Sequence, residues 1–194
     1  MNDTSHHMLP EEIASLQQEV SDHADQRALE KLYTYFYGEL FRFTKTLVRQ
    51  AEVAEEIVED IFVKLWERRP ALRDIENLRV YLYVAARNRS LNYLDWKSRD
   101  VISYVEIYPI DIPATHETPD NLLMTKEMSA RINQAVDGLP PKCKLIFKLV
   151  REEKMKYREV AEVLNISART VDTQMTIAMK KLAATITLYT SSTL

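Results

Sequence analysis

Glycine is nearly missing from this chain: Gly38 and Gly138 are the only two among 194 residues. Loops that cradle phosphate need several glycines within a few positions, so a P-loop and a dinucleotide-binding fingerprint are both excluded. A single cysteine, Cys143, permits neither an internal disulfide nor a thiolate metal cage and fits a reducing compartment. No apolar run approaches the roughly 20 residues that a membrane span requires. The first residues, with Asp3, Glu11 and Glu12, lack the basic start and apolar stretch of a secretory leader, so the expected location is the cytoplasm. The four histidines, His6, His7, His23 and His116, show no ligand-like spacing. The expectation is a protein with no catalytic residues, no metal, no cofactor and no small-molecule substrate.

What is present points to a soluble globular chain, with 46% apolar and 28% charged residues, and the length suits two small domains. The net charge of -3 conceals an asymmetry. Residues 1–125 hold 14 Lys+Arg against 22 Asp+Glu, whereas residues 126–194 hold 12 against 7. A basic C-terminal part is what a polyanion partner selects. Within the acidic part, residues 79–99 run the other way, with Arg79, Arg87, Arg89, Lys97 and Arg99 against Asp95 alone. Between Arg99 and Lys126 there is no cation, but there are five acids and Pro109, Pro113 and Pro119. Each proline removes a backbone donor and disfavours helix before it, so residues 100–125 read as an extended acidic linker. Its charge fits simple solubility as well as a specific role.

Elsewhere the apolar spacing is helical, and the fold class is all-α: two small helical domains, residues 10–99 and 126–188, joined by that linker. Helices are expected over 10–20, 25–48, 53–68 and 77–96, with a break at Pro70, and then over 121–137, 141–151, 156–164 and 168–188. Gly138 and the Leu139-Pro140-Pro141 run separate the first two of the second set, since proline suits a helix's first turn and not its interior.

Three stretches carry functional signals. Along 53–68, Ile57, Val58, Ile61, Phe62 and Leu65 form a core stripe, while Glu56, Glu59, Asp60, Val63 and Glu67 lie opposite, with Trp66 at the border. That face is either solvated acid with one stray valine or a docking surface for a basic partner. The helix over 77–96 is apolar on nearly all sides and should be mostly buried, yet Tyr81, Asn88, Asn92 and Trp96 form a narrow stripe of rings and amides within a basic patch. Such a stripe suits unpaired bases, which stack on rings and bond to amides; the plainer reading is loop-capping asparagines and core-filling aromatics.

The run from Tyr157 to Thr173 is the most specific. A short amphipathic helix ends near Leu164, Asn165-Ile166 make a turn in which asparagine tolerates a left-handed conformation, and Ser167 caps a second helix. Val171, Met175, Ala178 and Leu182 make its buried stripe, so Arg169, Thr173, Thr176, Ile177 and Lys180 face outward, with Gln174 and Lys181 at the rim. Arginine can read guanine edges, threonine and isoleucine methyls can touch thymine, and lysine can neutralise phosphate, which is the array a major groove needs. Two-helix corners also occur as plain packing units.

In order and spacing these pieces resemble bacterial RNA polymerase sigma factors of the small, two-domain extracytoplasmic-function group. The likeness covers about residues 25–187. It rests on Ala54-Glu55-Glu56-Ile57-Val58-Glu59-Asp60-Ile61-Phe62-Val63-Lys64-Leu65-Trp66, on the stretch from Tyr81 to Leu94, and on Leu139-Pro140 through Leu182. The resemblance implies that Glu56, Asp60, Val63, Lys64, Trp66 and Glu67 dock on the clamp coiled coil of the polymerase largest subunit. It implies that Tyr81, Arg87, Asn88, Asn92 and Trp96 take the minus-ten element as it melts, Asn88 lying near a flipped non-template base. It further implies that Ser167, Arg169, Thr170, Asp172, Thr173, Gln174, Thr176, Ile177 and Lys180 meet the minus-thirty-five element. Core RNA polymerase, including its flap, promoter DNA and an anti-sigma factor at the inner membrane are the implied partners. The linker resembles a nucleic acid mimic that threads polymerase channels, and Cys143 is expected to be a half-buried helix residue without a redox role. Asn165 departs from the family's usual turn glycine, and Asp172 is one methylene shorter than the frequent glutamate. An enzyme, and a transcription regulator using only the C-terminal helix-turn-helix, are the rival readings.

Overall fold

In the computed structural model, residues 8–97 and 126–192 are described, and the chain divides into two compact units, Met1–Arg99 and Asp100–Leu194. The expected linker over 100–125 lies outside the described residues. Among those that are described there is no strand. The first unit contains α1 (Pro10–His23), α2 (Gln26–Val48), α3 (Ala51–Glu67), a 3-10 turn (Arg69–Asp74) and α4 (Leu78–Lys97). The second contains α5 (Lys126–Asp137), α6 (Pro141–Arg151), α7 (Tyr157–Leu164) and α8 (Ala168–Ser192). No described helix is long and apolar enough to cross a membrane.

In the first unit α2 is the hub, packing against α1, α3 and α4. Its start is set by Asp25, whose carboxylate accepts the backbone N–H groups of Arg27 at 2.7 Å and Ala28 at 3.3 Å. Ala28, Leu32, Phe36 and Leu40 then recur every fourth position and are all buried, with Val20 from α1, Val58 and Ile61 from α3, and Leu82, Tyr83 and Ala86 from α4 completing the core. The Phe43 and Tyr83 rings meet at 5.0 Å between centroids, and Arg79 of α4 reaches Glu39 of α2 at 2.8 Å, which pins the two helices polar side as well as apolar. Arg49, at φ 61°, turns the chain from α2 into α3.

Two sequence expectations are corrected here and a third gains a detail. Helix α1 runs on to His23 rather than ending at residue 20, because Val20 and Ser21 are buried and the last turn is needed to seat them. The α-helical run ends at Glu67, ahead of Pro70, and the chain continues at once in 3-10 geometry, with Ala71 N–H donating to Arg68 O at 2.9 Å; Pro70 lies in the first turn of this segment, where the donor it lacks has no intrahelical partner. Gln17, buried in α1, holds this turn by donating its amide to Leu72 O at 2.5 Å and Ile75 O at 2.7 Å. Helix α4 is less buried than its composition suggests: Val80, Leu82, Tyr83 and Ala86 are inside, whereas Val84, Ala85, Leu91 and Leu94 are half-buried.

In the second unit α8 takes the hub position against α5, α6 and α7. Val136, Leu139, Cys143, Ala178 and Leu182 form its core, with Ile132, Ala135 and Phe147 packed at the edge. Pro141 opens α6 at the first helical position, where no intrahelical donor is lost. Lys144 is buried but keeps its charge partnered by Asp137, with Nζ 2.7 Å from Oδ1, so the α5–α6 corner is held by an ion pair over the apolar layer.

Candidate docking face and nucleic-acid interface

Helix α3 is amphipathic as its spacing requires: Ile57, Val58, Ile61, Phe62 and Leu65 are buried, and Glu56, Glu59, Val63, Lys64 and Glu67 are exposed, Val63 at 54%. The structure therefore brings Glu56, Val63, Lys64 and Glu67 onto one solvent-facing surface, with Lys64 Nζ 3.8 Å from Glu67 Oε2. The other two predicted docking residues are already engaged within the unit. Asp60 is half-buried and its carboxylate is held by the Arg89 guanidinium of α4. The guanidinium carbon of Arg69 sits 4.8 Å from the centre of the half-buried Trp66 ring, and the same guanidinium donates to Trp66 O at 3.1 Å.

Beside this face lies an aromatic edge that the sequence reading did not single out. Tyr33 and Tyr37 of α2 are 5.2 Å apart, Tyr33 packs edge-on to Phe62 at 5.0 Å, and Tyr37 stacks with Phe41 at 5.9 Å. The Tyr37 hydroxyl donates to Glu55 Oε1 at 3.2 Å. Burial pushes both phenols above their ordinary pKa; the Glu59 and Glu55 carboxylates add to this for Tyr33, and the Glu55 hydrogen bond for Tyr37. The i, i+4, i+8 recurrence of Tyr33, Tyr37 and Phe41 was the available signal.

On α4, Tyr81 is 40% exposed, Trp96 73%, and Asn88 and Asn92 are also exposed, so these four present their side chains to solvent; the aromatic that fills the core is Tyr83. Arg87 is half-buried and donates to Asn88 Oδ1 at 3.2 Å, which leaves the asparagine amide group outward as a donor. Tyr93 lies 6.4 Å from Trp96 and donates its hydroxyl to Gln50 Oε1 at 3.3 Å, fixing one wall of the stripe.

The second unit builds its surface on a helix corner. Asn165 closes α7 at φ 53°, ψ 51°, the left-handed conformation anticipated for it, with Ile166 N–H reaching back to Ala161 O at 2.9 Å. Ser167 Oγ then accepts Thr170 N–H at 3.0 Å and pairs with Thr170 Oγ1 at 2.8 Å, so Ser167 and Thr170 form the cap of α8. Val171, Met175, Ala178 and Leu182 are buried. Arg169, Asp172, Thr173, Thr176, Ile177 and Lys180 are exposed, and Thr170 and Gln174 are half-buried. Thr173 and Thr176 donate their hydroxyls to Arg169 O and Asp172 O at 2.9 and 3.0 Å, which leaves their oxygens as acceptors toward solvent. Cys143 corrects the sequence expectation: it is fully buried, not half-buried, because its helix packs under α8, where the thiol donates to Gln174 O at 3.2 Å. Burial pushes the thiol pKa up, against smaller opposing effects of Lys181 and a backbone hydrogen bond to Ala178. Among the described residues, no group of His, Cys, Asp or Glu is clustered so as to hold a metal ion.

Comparison with known proteins follows the same order along the chain. The family model described as Sigma-70 region 2 matches residues 32–99, and that described as Sigma-70, region 4 matches residues 129–182. The RNA polymerase sigma factor YlaC of Bacillus subtilis is 24% identical over 151 residues, covering 76% of this chain and 86% of that protein. The ECF RNA polymerase sigma factor SigW of the same organism is 21% identical, covering 78% and 84%, and the ECF RNA polymerase sigma-E factor of Haemophilus influenzae is 22% identical, covering 76% and 81%. Among solved structures, CnrH in complex with the cytosolic domain of CnrY shares the fold at a TM-score of 0.54 with 19% identity, covering 91% of this chain and 98% of that one. The sigma factor RpoE of Bartonella quintana, crystallised with the anti-sigma factor NepR, shares it at 0.54 with 18% identity, covering 81% and 96%. With both regions matched in sequence order across well over half its length, the chain belongs to the sigma-70 family of RNA polymerase sigma factors, in the extracytoplasmic-function group.

Proposed function

We propose that this protein binds core RNA polymerase and gives it promoter choice, recognising a minus-ten and a minus-thirty-five element and supporting duplex opening without covalent chemistry. The observation that carries this reading is the coexistence, in one chain and in family order, of an exposed ring-and-amide stripe on α4 and a free, basic outward face on α8. On α3, Val63 with Glu56, Lys64 and Glu67 supplies an apolar contact ringed by charge, the composition of a docking face for the clamp coiled coil of the polymerase. On α4, Tyr81, Asn88, Asn92 and Trp96 can stack on and hydrogen-bond to a single strand, and Arg87 orients the Asn88 amide that faces an extruded base. On α8, Arg169 is free to reach guanine, Thr173, Thr176 and Ile177 offer methyls to thymine, and Lys180 neutralises phosphate, while Asp172 accepts from cytosine and Gln174 borders the groove. Ser167 and Thr170 serve this face by fixing the start of the helix. The polymerase flap and an anti-sigma factor are the further partners of this reading, in keeping with the anti-sigma complex of the Bartonella quintana relative.

Gel filtration of the full chain with core polymerase tests this directly. Co-elution of a stable complex, weakened by Val63→Arg without loss of helicity, is the expected result. Failure of the wild-type chain to co-elute would leave only a stand-alone regulator using α7 and α8.

A further inference from the structure

Helix α2 turns to solvent a face that neither the docking surface of α3 nor the ring-and-amide stripe of α4 uses. Arg27, Lys31, Arg42 and Lys45 recur along it and Arg49 follows at its C-terminal cap, in steps of four, eleven, three and four residues that are each close to whole turns. They therefore share one side. Arg27, Lys31, Arg42 and Arg49 are exposed, and Lys45, half-buried, holds its Nζ 5.7 Å from the centre of the Phe41 ring. The other sides of α2 are taken: Tyr33 and Tyr37 meet Phe62 and Glu55 of α3, and Glu39 and Phe43 meet Arg79 and Tyr83 of α4. With Glu39 turned inward, Glu30 is the one acid that α2 exposes. The result is a basic strip about 33 Å long on the acidic half of the chain, close to one turn of B-form DNA.

Gly38 stands at the middle of this strip, beside the exposed Thr34. Nothing inside the unit asks for a glycine there: a Cβ would meet Arg42 Nη1 at 3.4 Å, an ordinary contact with the end of a flexible side chain. An interior glycine costs a helix stability relative to alanine, and its benefit is close approach by another molecule. Thr34 and Gly38 thus form a low saddle with cations at both ends.

We propose that the outer face of α2 binds the sugar-phosphate backbone of duplex DNA, the backbone ridge crossing the saddle at Gly38 with Arg27 and Lys31 on one side and Arg42, Lys45 and Arg49 on the other. Among the described residues, none of the large apolar side chains exposed to solvent lies on α2, so the face lacks the apolar centre around which a protein interface is built. Nor does it carry an exposed ring on which an unpaired base could stack. Cations at helical spacing displace condensed counterions and add affinity without reading sequence. The inference rests on the reading of the first unit as a promoter-binding unit, to which it adds a hold on duplex beside the strand taken by α4.

Fluorescence anisotropy of the full chain on two duplexes of unrelated sequence, over a series of salt concentrations, tests the site. In the triple variant Arg27→Gln, Lys31→Gln, Lys45→Gln the slope of log affinity against log salt should become shallower by about 2–3 on both duplexes, at roughly 0.9 per phosphate contact. Arg42 and Arg49 stay native because they also take part in contacts within the chain. An unchanged slope, or a change on one duplex alone, overturns the site; an unchanged slope with weakened core polymerase binding assigns the strip to an acidic protein surface instead. Gly38→Leu fills the saddle and removes no charge. Lower affinity for both duplexes at wild-type helicity supports the close approach, and wild-type affinity overturns it. Co-elution of the wild-type chain with core polymerase judges the underlying reading separately. Co-elution together with an unchanged slope in the triple variant removes the α2 site alone, whereas a chain that does not co-elute removes the promoter reading and leaves the α2 site to its slope.

Discussion

The two units expose their polar residues in opposite ways. In the first, several groups on the outward faces of α3 and α4 are held by neighbours in the same unit: Asp60 by Arg89, Trp66 by Arg69, and Asn88 by Arg87. In the second, Arg169 and Lys180 on α8 have no such partner among the described residues. Under the proposed function, the difference separates two kinds of target. A rigid helix with free cations is ready for an intact duplex, whose shape is fixed in advance. A surface whose charges are cross-linked keeps its rings and amides in register until a partner replaces those contacts, which suits a strand that must be unstacked as it is bound.

The largest expected effect separates the units altogether. Phe36→Ala removes a fully buried ring from the hub of the first unit and should cost about 3–5 kcal/mol of its stability. Calorimetry should show one transition lowered while duplex binding through α8 persists; loss of both together would mean the units do not act separately. Arg169→Ala should cost about 1–3 kcal/mol of binding, concentrated at one base pair, if the guanidinium reads a base bidentately; an even loss across sequences would make it a phosphate contact. Asn88→Ala should impair use of altered minus-ten sequences and leave duplex binding unchanged, so equal effects on both would erase the contrast between the surfaces.

A smaller effect concerns the aromatic edge. Because the phenols of Tyr33 and Tyr37 are raised in the folded chain, their contribution to stability is complete below the unfolded tyrosine pKa of about 10 and is lost as pH rises through the folded values. Denaturant midpoints measured across that range should fall less steeply in Tyr37→Phe than in the wild type.

The helix order, the Ser167 cap and the left-handed Asn165 were legible in the sequence because each depends on residues within a turn or two of one another. What escaped was set by tertiary contact. Nothing local marks Gln17 as the anchor of a turn more than fifty residues away, or tells that Asp60 would be claimed by Arg89. The burial of Cys143 likewise depends on α8 closing over it, and a cysteine's own composition signal is silent on that. On the surfaces, residue type and helical phase located the outward groups, but not which of them the fold itself would occupy.

The proposed promoter choice is tested most directly by start-site selection. Core polymerase supplemented with the purified chain should initiate at a defined set of promoters that core alone does not use, with Arg169→Ala altering the tolerated upstream element and Asn88→Ala the downstream one. Random or unchanged initiation in the presence of a folded chain would contradict it.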